Sequence, residues 1–346
     1  MRIPGKDIEV IAPNFSRRLS GVTATVAALV PRQARIMGVV ATGVGLPEDV
    51  PRVPFWRVPF LARRRRVWHA RRNNEMLVGF VLRALGVMQL KLVFTSSSPR
   101  RRGGLTRWMT QRMDAIVATT PANAEVMPGD PVIIPHGVDT DRFAPGSGTL
   151  FTAAEGERLI GCFGRVREMK GTHHFVEAMC RVLPDRPEWS AVIMGRVKPE
   201  DEPYAARLRE RITAAGLEHR IRFHPEIPVE RMPDAYRALS LYVAPSLLEG
   251  FGLTPLEALS CGVPVVATDV GAFADFVTED CGAIVPKDDA GALTEAIRAT
   301  LARDVGEMGG AGRARVVAEF GLEREAEALC ALYRALLAGE GRTLPL

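Results

Sequence analysis

Short, almost wholly apolar runs alternate with amphipathic helical patterns along most of this chain. Runs such as Leu159–Gly164, Leu241–Pro245 and Val263–Thr268 have the length of single strands and carry no polar face. Strands of this kind are buried on both sides, as in a parallel sheet that is covered by helices. The pattern therefore predicts an α/β protein whose parallel sheets are built from successive strand and helix units.

One segment interrupts this alternation and divides the chain in two. Turn-forming residues and little hydrophobic periodicity mark Phe143–Glu157, and the 346 residues are enough for two domains of ordinary size. We predict a boundary between residues 148 and 149, with a doubly wound α/β unit on each side. Ligands of such folds bind beyond the carboxyl ends of the strands, which a cleft between the two halves would collect.

Cysteine usage and hydropathy argue against several classes of protein. Five scattered cysteines in apolar runs indicate reduced, buried thiols, and no Cys/His cluster has the spacing of a metal site. The most apolar long run, Met76–Phe94, contains Arg83 and Lys91, which would be costly inside a bilayer. No signal peptide precedes the first predicted strand, Ile8–Pro13. We therefore expect a cytoplasmic protein that has no disulfides and no membrane-spanning helix.

A strongly basic segment underlies the modest net charge of +5. Residues 57–112 include thirteen arginines and Lys91 but a single acid, Glu75. Such a segment is either a solvated face or a surface attracted to acidic lipid headgroups, glycolipid phosphates or nucleic acid. Because no nucleic-acid-binding signature accompanies it, we expect this Arg-rich face to bind an anionic membrane surface or a glycolipid.

The segment Ala244–Asp269 predicts a ligand site. It combines a strand end, a glycine-rich loop, a helix start and a second buried strand, and Glu249 and Glu257 flank the loop. Backbone N–H groups at a helix N-terminus bind anions, whereas carboxylates accept hydrogen bonds from hydroxyls. A sugar attached to a nucleoside diphosphate carries both groups. The alternative role for Glu257 is that of an acid favoured by the helix dipole in the first turn.

A second loop supplies positive charge. Arg165 and Lys170 stand in Gly164–Gly171, directly after an apolar strand. Two cations from one loop can clamp a diphosphate and neutralise it as a leaving group. The alternative is a surface loop with ordinary charges, and the presence of the later glycine loop favours the functional interpretation.

Three further segments are weaker candidates. His69, beside Arg71 and Arg72, is predicted at a strand end, where it either binds an acceptor or a phosphate or is satisfied by local hydrogen bonds. Gly21 follows the turn after the first strand, and the amides there can approach a ligand. The acids of Asp139–Asp141 resemble a metal-binding motif, but a turn after a strand is the preferred role, and we predict no metal.

Together these motifs resemble those of the retaining GT-B glycosyltransferases of family 4, and the likeness covers nearly the whole chain. The family's order is kept by G-R-x-x-E-x-K-G at 164–171, P-H-G-V-D at 135–139 and E-G-F-G-x-x-x-x-E-A-L-x-x-G-x-P-V-V-A-T at 249–268. More narrowly, the start P-G-K-x-I-E-V-I-A-P-N-F and the segments S-G-V-T and W-H-A-R-R-N-N-E-M are similar to lipopolysaccharide core mannosyltransferases of Gram-negative bacteria. The resemblance implies two Rossmann-like domains that face each other across a cleft.

The resemblance also implies a role for each domain and for individual residues. Residues 1–148, with a crossover helix in 322–346, would bind the acceptor, and residues 149–321 would bind the donor. The implied catalytic residues are Arg165, Lys170 and Glu249. The implied donor-binding residues are Gly21, Gly164, Arg165, Lys170, Glu249, Gly250, Phe251, Gly252, Leu253 and Glu257. Arg165 and Lys170 would hold the diphosphate and Glu257 the ribose, while His69, Arg71 and Arg72 are the candidates for binding the acceptor.

The expected function is the retaining transfer of a hexose, mannose from GDP-mannose, to a lipopolysaccharide core or related glycolipid at the inner membrane. We expect no cofactor and no metal, because two cations already hold the phosphates. The alternatives are an enzyme of this fold with a soluble small-molecule acceptor and a non-catalytic nucleotide-sugar-binding protein. Many family members carry a histidine after the strand that begins here at Lys91; this chain has serines there, which leaves open whether His69 substitutes.

Overall fold

The computed structural model describes residues 3–17, 21–86, 88–97, 103–151 and 156–339. The chain forms two compact units, residues 1–137 together with 322–346, and residues 138–321. Each unit contains one six-stranded sheet in which all paired strands are parallel. The predicted α/β fold class is therefore confirmed.

The sheet of the first unit has the strand order β2-β1-β3-β4-β5-β6. Its strands are β1 (Val10–Asn14), β2 (Val39–Gly43), β3 (Arg65–Ala70), β4 (Gln89–Ser96), β5 (Ala115–Ala118) and β6 (Val132–Ile133). The helices that alternate with them are α1 (Gly21–Ile36), α2 (Asn73–Ala84), α3 (Gly104–Thr110) and α4 (Pro121–Glu125). The strand order reverses between β1 and β3, so the carboxyl ends of these two strands mark the ligand-binding position of this sheet.

The sheet of the second unit has the strand order β12-β11-β10-β7-β8-β9. Its strands are β7 (Arg158–Phe163), β8 (Trp189–Met194), β9 (Ile221–His224), β10 (Leu241–Ala244), β11 (Val265–Thr268) and β12 (Gly282–Val285). Its helices are α5 (Thr172–Val182), α6 (Glu202–Ala214), α7 (Met232–Arg237), α8 (Leu253–Ser260), α9 (Phe273–Phe276), α10 (Ala290–Leu301) and α11 (Val305–Glu319). Every residue of β10 and β11 is buried, which explains why these strands carry no charged side chain.

The last helix, α12 (Leu322–Ala338), belongs to the first unit. Its apolar face packs against α1, where Leu329 and Leu336 share a buried cluster with Val26. At the edge of this contact, Arg32 forms an ion pair of 2.7 Å with Glu323. The fold of the first unit therefore depends on the C-terminal end of the chain.

The second unit begins at Val138, earlier than the predicted boundary between residues 148 and 149. Phe143 is 5 % exposed and packs against Tyr236. The backbone at Gly148 passes so close to Ala238 that a Cβ would lie 2.1 Å from the Ala238 nitrogen. Turn residues in a sequence carry no sign of such packing, and for this reason the earlier start was not predicted.

The apolar run Met76–Phe94 is divided between α2 and β4, as predicted. Arg83 and Lys91 both reach the carboxylate of Asp114, at 2.9 and 3.2 Å. Within the residues that the structure describes, no helix has the length and apolar character needed to cross a membrane.

Candidate active site

The strand order of the second sheet reverses between β7 and β10, and the two strongest sequence motifs lie at this position. Arg165 and Lys170 follow β7, while Ser246 and Glu249 follow β10. Residues of both loops line one small cavity at the carboxyl ends of these strands. The fold thus joins motifs whose central residues, Lys170 and Glu249, are 79 residues apart in the chain.

Glycines determine how the loop after β7 approaches the loop after β10. Gly164 and Gly171 have φ angles of 133° and 64°, which side chains other than glycine rarely adopt. Between them, Glu168–Lys170 form a single 3₁₀ turn. A Cβ on Gly171 would lie 1.8 Å from the carbonyl oxygen of Pro245. Glycine is therefore required for Lys170 to be presented this close to the neighbouring loop.

Lys170 and Glu249 form an ion pair inside the site. The Lys170 ammonium donates a hydrogen bond to Glu249 Oε1, which also accepts one of 2.9 Å from Ser246 Oγ. The Lys170 and Glu249 side chains remain 24 % and 14 % exposed. Arg165 lines the same cavity, and no described carboxylate forms an ion pair with its guanidinium. A diphosphate at this position would have to share Lys170 with Glu249 or displace that carboxylate.

Helix α8 begins directly after the glycine loop. Gly252 has a φ of 89°, and a Cβ there would lie 2.1 Å from the Phe273 ring, so this tight approach also requires glycine. The first N–H groups of any α-helix lack partners within the helix. No acidic side chain stands in the first turn of α8 to occupy them. The helix start at Leu253 is therefore suited to an anionic group of a ligand.

Glu257 lies beyond the first turn of α8, because the helix begins at Leu253 rather than at Pro255. The alternative interpretation as an acid of the first turn is therefore wrong. Its Oε2 atom accepts a hydrogen bond of 2.8 Å from the hydroxyl of the buried Tyr236. Burial raises the pKa of the Glu257 carboxyl to about 7, although the Tyr236 hydrogen bond opposes this shift. The carboxyl therefore changes charge near neutral pH.

In the first unit, Arg72 holds together the region where the strand order reverses. Its guanidinium donates hydrogen bonds to Asn14 Oδ1 at 2.7 Å, to Glu75 Oε1 at 2.8 Å and to Thr23 Oγ1 at 2.9 Å. Asn14 ends β1, and the fully buried Glu75 lies in α2. Arg72 thus satisfies buried acceptors of several elements, which gives it a structural role beside any role in binding.

Gly21 is exposed, and Arg71 is partly buried like Arg72. The guanidinium of the partly buried Arg71 makes a long contact of 3.4 Å to the carbonyl of His69, and no described acid forms an ion pair with it. Gly21 is the exposed first residue of α1, and a Cβ there would have no neighbour within 4 Å. Both residues are therefore open to a ligand of the first unit.

His69 is a core residue, which corrects the prediction that it contacts an acceptor. It lies in β3 and is 0 % exposed. Its Nδ1 atom is hydrogen-bonded to the Tyr333 hydroxyl and its Nε2 atom to Thr95 Oγ1 at 2.6 Å. Burial, with a smaller contribution from the charge of Arg71, lowers the pKa of His69 well below its usual value. With both nitrogens occupied, the ring has no donor or acceptor left for a substrate.

A hydrogen-bonded chain at the end of β4 was not predicted. His136 Nε2 lies 2.8 Å from Ser97 Oγ, and His136 Nδ1 lies 2.8 Å from Glu325 Oε1 in α12. Glu325 Oε2 also accepts a hydrogen bond of 2.8 Å from the backbone of Gly137. The histidine stands in the P-H-G-V-D motif, but its partner is 189 residues away. In the same motif, Asp139 Oδ1 accepts a hydrogen bond from the Arg142 backbone, as a turn requires.

Arg66 of the Arg-rich segment stabilises the fold instead of contributing to a free basic face. Arg66 is 1 % exposed, and its guanidinium donates hydrogen bonds to the carbonyls of Ile8 and Ala62 at 2.9 and 2.6 Å. Arg65 donates to the carbonyl of Leu337. The expectation of an Arg-rich face is corrected at Arg66, because this side chain is buried and bonded to carbonyl groups, whereas Arg65 stays exposed. Arg100–Arg102 lie outside the described residues.

An exposed apolar surface adjoins the remaining arginines. We call it the α2–α3 patch, and it consists of Leu77, Val81, Leu85, Leu105 and Trp108. Each of these side chains is between 47 % and 72 % exposed. The guanidinium of Arg112 lies 4.2 Å from the centre of the Trp108 ring. Hydrophobic side chains and cations are therefore neighbours on this part of the first unit.

Comparison with protein families and characterised relatives gives a consistent result. A family model described as "Glycosyl transferases group 1" matches residues 151–308. The lipopolysaccharide core biosynthesis mannosyltransferase LpcC of Rhizobium leguminosarum bv. viciae is 47 % identical over 98 % of this chain and 99 % of its own length. The corresponding enzyme LpsB of Rhizobium meliloti is 45 % identical over 96 % of this chain and 99 % of its own.

Solved structures share the fold at lower identity. A glycosyltransferase from Rickettsia africae has a TM-score of 0.78 and 16 % identity, with 96 % of this chain and 99 % of that chain covered. The Anabaena protein HepE, crystallised with UDP, has a TM-score of 0.77 and 15 % identity, with 96 % and 100 % covered. Both structures therefore share the overall fold of this chain.

Proposed function

Since the chain belongs to the glycosyltransferase family of the lipopolysaccharide core biosynthesis mannosyltransferases, we propose that it transfers mannose from GDP-mannose to a lipopolysaccharide core or related glycolipid. In this proposal the second unit binds the donor and the first unit binds the acceptor. The observation that carries it is the convergence of Arg165, Lys170 and Glu249 where the strand order of the second sheet reverses.

The donor diphosphate contacts Arg165 and Lys170 in the proposed complex. Lys170 turns at least partly from Glu249 to the phosphate, and the carboxylate of Glu249 then accepts hydrogen bonds from hydroxyls of the hexose. When the bond between the sugar C1 and the phosphate oxygen breaks, negative charge builds up on the diphosphate. The two cations and the N–H groups at the start of α8 stabilise that charge. The acceptor hydroxyl attacks C1 from the face that the diphosphate leaves and passes its proton to the departing phosphate oxygen, so the anomeric configuration is retained.

The charge of the site supports a mechanism that needs no metal ion. In many phosphoryl- and glycosyl-transfer sites a divalent cation neutralises the leaving phosphates. Here the Arg165 guanidinium and the Lys170 ammonium line one cavity and supply two positive charges. We therefore assign neutralisation of the leaving group to these two side chains.

Glu257 is assigned to the nucleotide ribose. Glu257 lies in α8, which follows the glycine loop, and its Oε2 atom accepts a hydrogen bond from the hydroxyl of the buried Tyr236. A carboxylate in this position binds a pair of ribose hydroxyls better than a neutral acid does, because the ionised form acts purely as an acceptor, whereas the neutral acid carries an O–H donor on one oxygen.

We assign the α2–α3 patch to membrane attachment at the cytoplasmic face of the inner membrane. Leu77, Val81 and Leu85 are spaced four residues apart and are all exposed, so they share one side of α2 and its C-terminal end. The Phe80 and Trp108 rings lie 5.9 Å apart and connect α2 to α3. Apolar side chains and Trp beside arginines are typical of surfaces that lie in the interface of an anionic bilayer.

A transfer assay tests the proposed reaction. The purified full chain is incubated with a panel of nucleotide sugars and a deep-core glycolipid acceptor, and the product is examined by mass spectrometry and NMR. The proposal predicts mannosylation from GDP-mannose with an α-linkage. Transfer from a different nucleotide sugar, or transfer only to soluble acceptors, would contradict it. Binding of GDP-mannose without turnover would indicate a non-catalytic binding protein.

A further inference from the structure

Three potential metal ligands meet in the second unit, outside the residues assigned to the donor. His173 and His174 lie in the first turn of α5, and Asp288 lies in the loop before α10. One ligand atom of each residue lies within 4.8 Å of the others. His174 Nε2 is already 3.0 Å from Asp288 Oδ1, although the two residues are 114 positions apart. The fold therefore brings together three side chains that no sequence motif indicates as a cluster.

The chemistry of this donor set selects a class of ion. Two imidazole nitrogens and one carboxylate oxygen form a set used by zinc sites that keep one position open for water. Mg²⁺ and Ca²⁺ prefer oxygen ligands throughout, so they fit this set poorly. We propose that His173, His174 and Asp288 bind a divalent transition-metal ion, with Zn²⁺ as the best match.

Tyr204 of α6 orients one of the proposed ligands. The backbone N–H of His173 donates a hydrogen bond of 2.9 Å to the Tyr204 hydroxyl, and His173 Nδ1 lies 2.8 Å from the same oxygen. These two contacts fix the His173 ring and direct its Nε2 atom away from Tyr204. Nε2 is therefore the nitrogen that is available to an ion. Metal-binding histidines are commonly held in this way through their second ring nitrogen.

Asp288 is accessible to an ion. Its side chain is 75 % exposed, whereas that of His174 is 12 % exposed. The carboxylate can therefore shift from its hydrogen bond with His174 to an ion between them. A groove of about 330 Å³ borders both histidines and gives water a route to the remaining position.

A bound ion would connect two helix starts. Helix α5 follows Gly171 directly, and Asp289, the residue after Asp288, caps α10 by accepting a hydrogen bond of 2.8 Å from Ala292. The ion would hold the two starts together in the folded chain and not in the unfolded chain. Zinc should therefore raise the melting temperature in a concentration-dependent manner.

Calorimetric titration of the untagged full chain with ZnCl₂ tests the site. All five cysteines are buried, so thiols do not compete for the ion. His174→Gln and Asp288→Asn each remove one ligand, and we expect at least about tenfold weaker binding from each. The matched controls His219→Gln and Asp280→Asn change exposed residues outside the cluster and should bind one Zn²⁺ like the wild type.

Tyr204→Phe tests whether the hydroxyl of Tyr204 orients His173 for metal binding. It leaves all three ligands in place but removes the hydroxyl that orients His173, and affinity should fall by about tenfold. Circular dichroism establishes that each variant is folded. Equal zinc affinity in the wild type and both ligand variants, or no saturable binding by the wild type, would overturn the proposal. Neither result bears on glycosyl transfer, which is measured separately.

Discussion

Replacing Lys170 by alanine should lower turnover far more than it lowers stability. The Lys170 ammonium contacts Glu249 where β7 and β10 end, in a position 24 % exposed. Removing one preorganised group that stabilises developing charge costs about 2.7–4 kcal/mol of activation free energy, or about 10²- to 10³-fold in kcat. An ion pair that remains partly solvated contributes only about 1 kcal/mol or less to folding. The two effects are therefore separable.

The measurement is single-turnover transfer from GDP-mannose, with urea unfolding of the same samples. Arg209→Ala is the matched control, because Arg209 pairs with Glu202 at 2.7 Å while both side chains are about half exposed. It removes one positive charge from the surface and should leave turnover unchanged. Turnover of folded Lys170→Ala within about threefold of the wild type, less than 1 kcal/mol, would refute the role of Lys170 in leaving-group stabilisation.

Three further variants test other parts of the site and the surface. Burial raises the pKa of Glu257 from 4.5 to about 7, so ionising this carboxyl opposes folding as pH rises through that range. The ionised form should bind ribose better, so calorimetry should show donor affinity rising from about pH 6 to 8 in the wild type and not in Glu257→Gln. An equal rise in both proteins would exclude this carboxyl as the cause of the pH dependence. Gly171→Ala should lower the melting temperature more than Gly216→Ala does. Both glycines have left-handed φ angles, of 64° and 67°, so the backbone strain of the two substitutions is similar. At Gly171, however, a Cβ would also lie 1.8 Å from the carbonyl oxygen of Pro245, whereas at Gly216 it would have no neighbour within 4 Å. Equal losses would show that this close approach is unimportant. Val81→Glu should weaken flotation with anionic vesicles, whereas Val317→Glu, at an equally exposed valine, should not; unchanged flotation of Val81→Glu would argue against the α2–α3 patch as the attachment surface.

Most strands of the two sheets were predictable, because burial on both faces is visible in their hydropathy, whereas the arginines and histidine of β3 hid that strand. Strands such as β10 and β11 carry no charged side chain, and many of the helices that alternate with strands are amphipathic. The burial of both faces of a strand also explains why the predicted exposure of His69 was wrong. In a strand whose two faces are both buried, alternation does not separate inside from outside, and the neighbouring arginines suggested an exposure that β3 does not have.

The candidate site was predictable in its loops but not in its contacts. Glycine spacing and charge identified the segments that carry Lys170 and Glu249, because the backbone geometry of a loop depends mainly on residues that are close together in the sequence. Their pairing, and that of His136 with Glu325, joins residues 79 and 189 positions apart. Long-range contacts of this kind follow from strand order and helix packing, which a single sequence does not specify.

A crystal structure of the chain with GDP-mannose tests the central claim most directly. We expect phosphate oxygens within hydrogen-bond distance of the Lys170 ammonium and the Arg165 guanidinium, with the hydrogen bond between Lys170 and Glu249 lengthened or broken. A saturated complex in which that hydrogen bond is intact and the diphosphate contacts neither Arg165 nor Lys170 would contradict the proposed donor site.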